Sequence, residues 1–293
     1  MLQSRRFKQV DVFTAVPFKG NPLAVVLDAE GLTETQMQAI ARWTNLSETT
    51  FVLPVTDPLA DYRVRIFSPD QEFPFAGHPT LGTAHALLEA GLQSRSAGRV
   101  VQQCGIGLVT IEKHADGSLA FQAPAASLLP FDEAQRPLLT AALGGAAFDA
   151  QRPPVMVDMG IKWLVVRLAS ADACLAVRAE GTALAQLMQC CAMDGIAIYG
   201  AHDVLGAADY EVRALYSEQN MLVEDPVTGS ANACIARVLQ AQARAAGLEP
   251  GVAYRARQGT VLQRDGRLFV SYLDGQPWIG GHSVTLIDGR LQA

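Results

Sequence analysis

An α+β fold of two similar domains is predicted for this 293-residue chain by three observations. Strand patterns outnumber helix patterns, two helix starts look like copies of each other, and short identities around them recur in one order half a chain apart. Asp61-Tyr62 repeats as Asp209-Tyr210, Val64-Arg65 as Val212-Arg213 and Thr80 as Thr228, all at an offset of 148. A shift to 149 then aligns Asp116-Gly117-Ser118-Leu119 with Asp265-Gly266-Arg267-Leu268. One period of half the chain implies duplicated domains, not a solenoid, and the length has room for two. The expected boundaries are 1–126 for the N-terminal domain and 127–279 for the C-terminal one, with the tail 280–293 returning to the first. Each domain should be a curved, mostly antiparallel sheet around a central helix.

In the first half, alternation of apolar and polar residues predicts strands at Lys8 to Phe13, Leu23 to Leu27, Thr50 to Leu53 and Tyr62 to Phe67. Thr33-Glu34-Thr35-Gln36 is a capping-box pattern opening a helix with Met37, Ile40 and Ala41 on one face. Pro79 suits the first turn of the next helix, which runs through Ala84, Leu87 and Leu88 to a stop at Gly91. A hairpin follows, from Thr110–Lys113 to Leu119–Phe121. The stretch Pro124-Ala125-Ala126-Ser127-Leu128-Leu129-Pro130 reads as a linker. In the second half, strands are expected at Val155 to Met159, Trp163 to Leu168, Gly195 to Tyr199 and Tyr210 to Tyr216. Helices are expected at Gly181 to Met193 and Ser230 to Ala246, and a closing hairpin from Thr260–Gln263 to Leu268–Val270.

Composition narrows the function classes. A net charge of −6 gives no electrostatic footprint for nucleic acid or an anionic membrane. No run reaches the roughly 18 apolar residues of a membrane span, and no apolar h-region follows the charged N-terminus. Five cysteines, Cys104, Cys174, Cys190, Cys191 and Cys234, form neither a CxxC pair nor an even set. Adjacent Cys190-Cys191 reads as one side of a buried helix, and the expected location is the cytoplasm. No dinucleotide, Walker or nucleophile-elbow motif is present, and the histidines lack metal-ligand spacing.

Chemistry concentrates at the two helix starts, Phe75-Ala76-Gly77-His78-Pro79-Thr80-Leu81-Gly82 and Asp225-Pro226-Val227-Thr228-Gly229-Ser230. A helix start presents unpaired N–H groups and about half a positive charge, and Gly77 and Gly229 let a ligand approach the backbone. Two such ends facing across a cleft would hold a carboxylate and stabilise negative charge that develops during reaction. His78 could donate a hydrogen bond or relay a proton. Asp225 could hold an amine or hydroxyl of the substrate or orient His78, and Ser230 reads as a helix-start donor. Glu48, in Asn45-Leu46-Ser47-Glu48-Thr49, points from a helix-to-strand junction and could serve as general base toward a carbon acid in a dry site.

These segments together resemble the PhzF family, named after the phenazine biosynthesis isomerase that acts on trans-2,3-dihydro-3-hydroxyanthranilate. The likeness also includes Asp11-Val12-Phe13-Thr14, Gly20-Asn21-Pro22-Leu23-Ala24-Val25-Val26, and Gln258-Gly259 before the last hairpin, and it spans nearly the whole chain. It implies a fold similar to diaminopimelate epimerase, no cofactor and, as is usual in the family, a homodimer; the absence of metal-ligand spacing separately argues for no metal. By the same likeness Glu48 is the proton-shuttling acid/base, with Gly77, His78, Asp225, Gly229 and Ser230 binding a small carboxylate-bearing substrate. Related epimerases use two cysteines at the helix starts; Gly77-His78 and Asp225 stand there instead, which disfavours a two-thiol mechanism.

The expectation is therefore a cofactor-independent isomerase that moves a proton between carbons of a small acid. Its competitors are a single-base epimerase or lyase of an amino or hydroxy acid, and a non-catalytic binding protein of the same fold.

Overall fold

Strands that are mostly buried along their length make the frame, and small residues let one helix sink into each sheet. The computed structural model describes residues 2–149, 151–218, 221–248 and 252–293, which form two units, Met1–Gln122 with Gly280–Ala293, and Ala123–Ile279.

The first unit runs β1 (Ser4–Val12), β2 (Asn21–Val26), α1 (Glu34–Thr44), β3 (Glu48–Leu53), β4 (Tyr62–Phe67), β5 (Glu72–Phe73), α2 (Gly77–Glu89), β6 (Arg99–Cys104), β7 (Gly107–Lys113) and β8 (Leu119–Gln122). The second runs β9 (Ser127–Pro130), α3 (Arg136–Ala142), β10 (Val155–Asp158), β11 (Lys162–Arg167), α4 (Ala171–Ala176), α5 (Gly181–Cys191), β12 (Gly195–Ala201), β13 (Tyr210–Glu218), β14 (Met221–Asp225), α6 (Gly229–Ala245), β15 (Tyr254–Gln258), β16 (Gly266–Leu273) and β17 (Gln276–Gly281). The chain then returns to the first unit as β18 (Ser283–Gln292).

Pairing demonstrates the duplication. In the first unit β1 lies antiparallel between β18 and β2, β2 is parallel to β3, β3 antiparallel to β4, β4 parallel to β6, and β6 antiparallel to β7. The second unit repeats that series with β9, β10, β11, β12, β13, β15 and β16. Short strands β5 and β14 pair antiparallel to β4 and β13 and lead into α2 and α6. Each unit is thus a mostly antiparallel sheet with one helix at its centre. Ten of the thirteen residues of α2 are buried, which marks it as a core helix and not a surface one.

The repeated residues that first revealed the duplication have structural jobs. Asp61 accepts the Val101 N–H at 2.7 Å and Asp209 accepts the Arg255 N–H at 2.6 Å, each stapling the strand that runs parallel to its own. Arg65 pairs through two hydrogen bonds with Glu72, and Arg213 does so with Glu224, tying each short strand to the sheet.

Alignment without a gap does not survive at the helix starts. Phe67 pairs with Thr49 on one side and Glu72 on the other; Leu215 pairs likewise with Ile196 and Glu224. Five positions separate Phe67 from Glu72, but nine separate Leu215 from Glu224, because the β13–β14 hairpin is longer. Gly77 therefore corresponds to Gly229 and His78 to Ser230. The Thr80–Thr228 identity is a coincidence of offset.

The 149 offset fails for a similar reason. Asp265-Gly266 sits at the turn into β16, which corresponds to β7, whereas Asp116-Gly117 follows β7. The structural counterpart of Asp116-Gly117 is Asp274-Gly275, the turn after β16, where both residues have positive φ (51° and 69°). The expected strand Thr260–Gln263 is a 3₁₀ turn at Thr260–Leu262; Val261 and Leu262 are partly exposed and the strand lies earlier, in β15.

Other departures share a cause, which is that tertiary pairing recruits segments of weak pattern. Ser127–Pro130 of the expected linker is edge strand β9, paired with β10, a position where a proline donor is not missed. Helix α3 lies among the polar residues that follow. Cys190 is exposed, because α5 buries Leu184 and Leu187 instead.

Helix α1 follows its expected physics. Thr33 and Gln36 form the reciprocal capping box, and Asn45 closes the helix at φ 52°. Met37 and Ala41 pack on Phe51 and Phe67, whose rings meet edge to face at 5.5 Å. The junction between α1 and β3, which carries Glu48, is therefore anchored on both sides.

Close packing of α2 depends on Gly82. A Cβ there would lie 2.6 Å from Leu23 Cδ2 and 2.7 Å from Val12 Cγ2. Because Leu23 pairs in register with Glu48, pushing α2 away from β2 also disturbs the carboxylate. Gly82→Ala is expected to cost about 1–3 kcal/mol, the usual range for overpacking, measurable as a lower urea midpoint at unchanged m-value. A midpoint equal to that of the wild type would show that the helix tolerates a methyl group here.

Candidate functional site

Geometry at the start of α2 comes from three residues on two elements. Glu48 opens β3, His78 is the second residue of α2, and Gly77 is the first. Glu48 Oε2 lies 3.4 Å from His78 Nε2, with the two side chains 16% and 6% exposed. Both atoms are shut off from solvent. Unbound catalytic sites often show such long contacts, which tighten when substrate arrives.

Burial pushes the His78 imidazole down to about 3, since the charged form cannot be hydrated there. His78 is thus neutral at physiological pH, with one ring nitrogen a donor and the other an acceptor. A sign follows for stability. Between about pH 6.5 and 3 the unfolded chain binds a proton that the folded one does not, so the His78 contribution is intact above 6.5 and is lost on acidification. His78→Gln should therefore narrow the difference in urea midpoint between pH 7 and pH 4.5; an unchanged difference would locate the acid sensitivity elsewhere.

Helix α2 has Ala76 at its N-cap and α6 has Thr228, and neither cap makes a side-chain hydrogen bond to the helix. No acidic residue lies in either first turn. The positive end of each dipole is consequently not neutralised from within its helix.

In the second unit, Asp225 ends β14, and its Oδ2 accepts the Thr228 hydroxyl at 2.5 Å. Gln258, from β15, accepts the Thr228 N–H and donates to the Thr228 hydroxyl and the Asp225 carbonyl. Asn232 donates to Gln258 Oε1 and to the Thr228 carbonyl. These bonds hold the entry to α6 in one shape and leave Gly229 and Ser230 at the helix start. Ser230 Oγ accepts a hydrogen bond from Trp163 Nε1 at 3.1 Å.

Within each unit, then, the expected residues are brought together: Glu48 with Gly77 and His78, and Asp225 with Gly229 and Ser230. Trp163, Asn232 and Gln102 carried no expectation, and Gln258 was noted only as part of a motif. Gln102 binds the Thr80 hydroxyl of α2 and Tyr62, as Gln258 binds Thr228. Parallel strand pairing creates these contacts, and linear spacing carries no signal of it.

Three of the other histidines form separate pairs: His85 lies near Glu89, His202 with Glu211 and His282 near Asp116. No cluster of metal-binding side chains occurs among the described residues, and no helix among them is long and apolar enough to cross a membrane. No cysteine stands at either helix start. Cys234 lies within α6, and burial pushes its thiol, like that of Cys174, well up from the ordinary range. The cysteine-free character of both helix starts holds with the corrected correspondence, Gly77-His78 with Gly229-Ser230.

Residues 10–289 match the family described as Phenazine biosynthesis-like protein, PhzC-PhzF. The chain belongs to this family. Among curated relatives, Antisense-enhancing sequence 1 of Schizosaccharomyces pombe is 34% identical, covering 97% of each chain. The trans-2,3-dihydro-3-hydroxyanthranilate isomerase of Pseudomonas aeruginosa is 33% identical, covering 90% of this chain and 89% of its own. A solved PhzF-family phenazine biosynthesis protein from Bacillus anthracis superposes with a TM-score of 0.84 at 25% identity, covering 99% of both chains. The fold is also shared with a probable proline racemase from Agrobacterium radiobacter, at a TM-score of 0.64 and 16% identity over 99% of this chain and 92% of that one. The architecture of this PhzF chain is thus the two-domain α+β fold of the epimerases, and its relatives include named isomerases.

Proposed function

We propose that this chain is a cofactor-independent isomerase that moves a proton between two carbons of a small carboxylate-bearing substrate, with Glu48 as general acid/base. The observation that carries the proposal is one carboxylate beside a buried neutral imidazole, at a helix start whose dipole is uncapped. The Pseudomonas aeruginosa relative supports the reaction class by its name.

Gly77, His78, Asp225, Gly229 and Ser230 bind the substrate in this scheme. Amides at the helix starts take its carboxylate and the negative charge that spreads into it when a proton leaves the adjacent conjugated carbon. Glu48 accepts that proton and returns it to a different carbon, so atoms and charge balance within one substrate. A neutral His78 suits this cycle, because its Nε2 can donate to the carboxylate or accept from the protonated acid according to tautomer. We take the protein to work in the cytoplasm as a homodimer; five free thiols support the first, and sedimentation at the mass of two chains tests the second.

The decisive measurement is carbon-bound deuterium incorporation from heavy water, followed by NMR, with trans-2,3-dihydro-3-hydroxyanthranilate and a panel of other small carboxylic acids. Incorporation that is lost in Glu48→Gln and retained in Cys234→Ala is expected. Equal loss in the cysteine variant would favour a thiol mechanism, and binding without incorporation of any acid would mean a non-catalytic protein.

A further inference from the structure

The duplication has diverged at one point where chemistry matters. Glu48 precedes Thr49, and Thr49 pairs with Phe67; in the second unit Gly195 precedes Ile196, and Ile196 pairs with Leu215. Gly195 is therefore the counterpart of Glu48, and the acid exists in one copy only. A Cβ at Gly195 would lie 2.6 Å from Cζ3 of Trp163 and 2.8 Å from the Leu215 carbonyl. The indole of Trp163, 3% exposed, occupies the space where the side chain would emerge.

Contacts are exchanged in parallel with the residues. In the first unit the acid faces His78, the second residue of its helix; in the second unit the indole meets Ser230, the second residue of α6. An indole N–H can only donate, so Ser230 Oγ must accept from it. A hydroxyl that accepts this bond still has its own proton to donate.

We propose that Trp163 is a positioning residue that locks the Ser230 hydroxyl as a hydrogen-bond donor toward an anionic oxygen of the substrate. The role rests on the reading of Ser230 as a substrate-binding residue. It gives the two units different tasks, the first moving the proton and the second holding an oxygen of the substrate. A donor fixed in this way favours carboxylate or enolate oxygen and disfavours an ammonium group at the same place.

The test is a double-mutant cycle on the full chain, using the dissociation constant of benzoate by calorimetry and KM and kcat for the exchange reaction. Ser230→Ala should weaken benzoate binding and raise KM by about tenfold, the equivalent of about 1.4 kcal/mol. Trp163→Phe, which keeps a ring but lacks the N–H, should reach at least half of that effect on a logarithmic scale, with kcat changed less than twofold. The double variant should equal Ser230→Ala alone, since Trp163 acts through the hydroxyl. Additive losses, or Trp163→Phe binding like the wild type while Ser230→Ala is impaired, would overturn the positioning role and leave the substrate-site reading standing. Wild-type affinity in Ser230→Ala, or no benzoate binding by the wild type, would overturn that reading and this inference with it. An independent readout is the Trp163 indole N–H resonance, one of three in the protein, which should shift in Ser230→Ala; an unmoved resonance would remove the hydrogen bond from the argument.

Discussion

Glu48→Gln is expected to lower the rate of proton transfer by about 10³-fold while leaving the fold intact. A positioned acid/base contributes roughly 10²–10⁴-fold, and the amide is close in shape to the carboxylate but cannot accept a proton from carbon. The expected loss corresponds to about 4 kcal/mol of transition-state stabilisation. It should fall on kcat, because the helix-start amides to which the proposal assigns substrate binding are untouched. The melting temperature should stay within about 2 °C, since Glu48 joins its sheet through the backbone, in register with Leu23. The absence of a second carboxylate at Gly195 sharpens the expectation, for no duplicate acid can take over. More than a tenth of wild-type turnover remaining would disqualify Glu48 as the proton carrier.

Arg213→Met should produce the largest loss of stability, about 3–5 kcal/mol. The Arg213 and Glu224 side chains are 5% and 9% exposed and share two hydrogen bonds, and the guanidinium also holds the carbonyls of Cys174 and Val177. Removing the cation leaves a carboxylate buried without its charge partner, the costly way to break such a pair. At roughly 2–4 °C per kcal/mol for a domain of this size, the unfolding temperature should drop by about 10 °C. Arg65→Met is the internal control. Arg65 and Glu72 form the same pair in the other copy at 24% and 36% exposure, where solvent screening reduces a pair to about 0–1 kcal/mol. Equal losses in the two variants would mean that burial does not set the cost.

Legibility in the sequence followed the range of the interaction involved. The capping box at Thr33 depends on residues three apart, and it formed as expected. The strand around Val64 follows alternation, which reports burial on one face, whereas its copy around Val212 is buried continuously from Glu211 to Leu215. Edge strand β9 carries the local pattern of a break, with Pro124 before it and Pro130 at its end, whereas its pairing with β10 is decided by residues more than twenty positions away. The repeat itself was visible, but its register at the helix starts was not: the longer β13–β14 hairpin moves the true partner of Gly77 from Asp225 to Gly229.

Local chemistry written along the chain, namely strand alternation, helix caps and the order of the duplicated motifs, was enough to indicate two similar α+β units and to nominate Glu48 and His78, and the family resemblance added the epimerase-like fold. Folding decided that those two side chains lie 3.4 Å apart, that the imidazole loses its charge through burial, and that Trp163 fills the place of the second acid. The physical reason is that periodicity and capping arise among neighbours in sequence, whereas solvent exclusion and side-chain contact depend on strands and helices that the chain brings together only when its core closes.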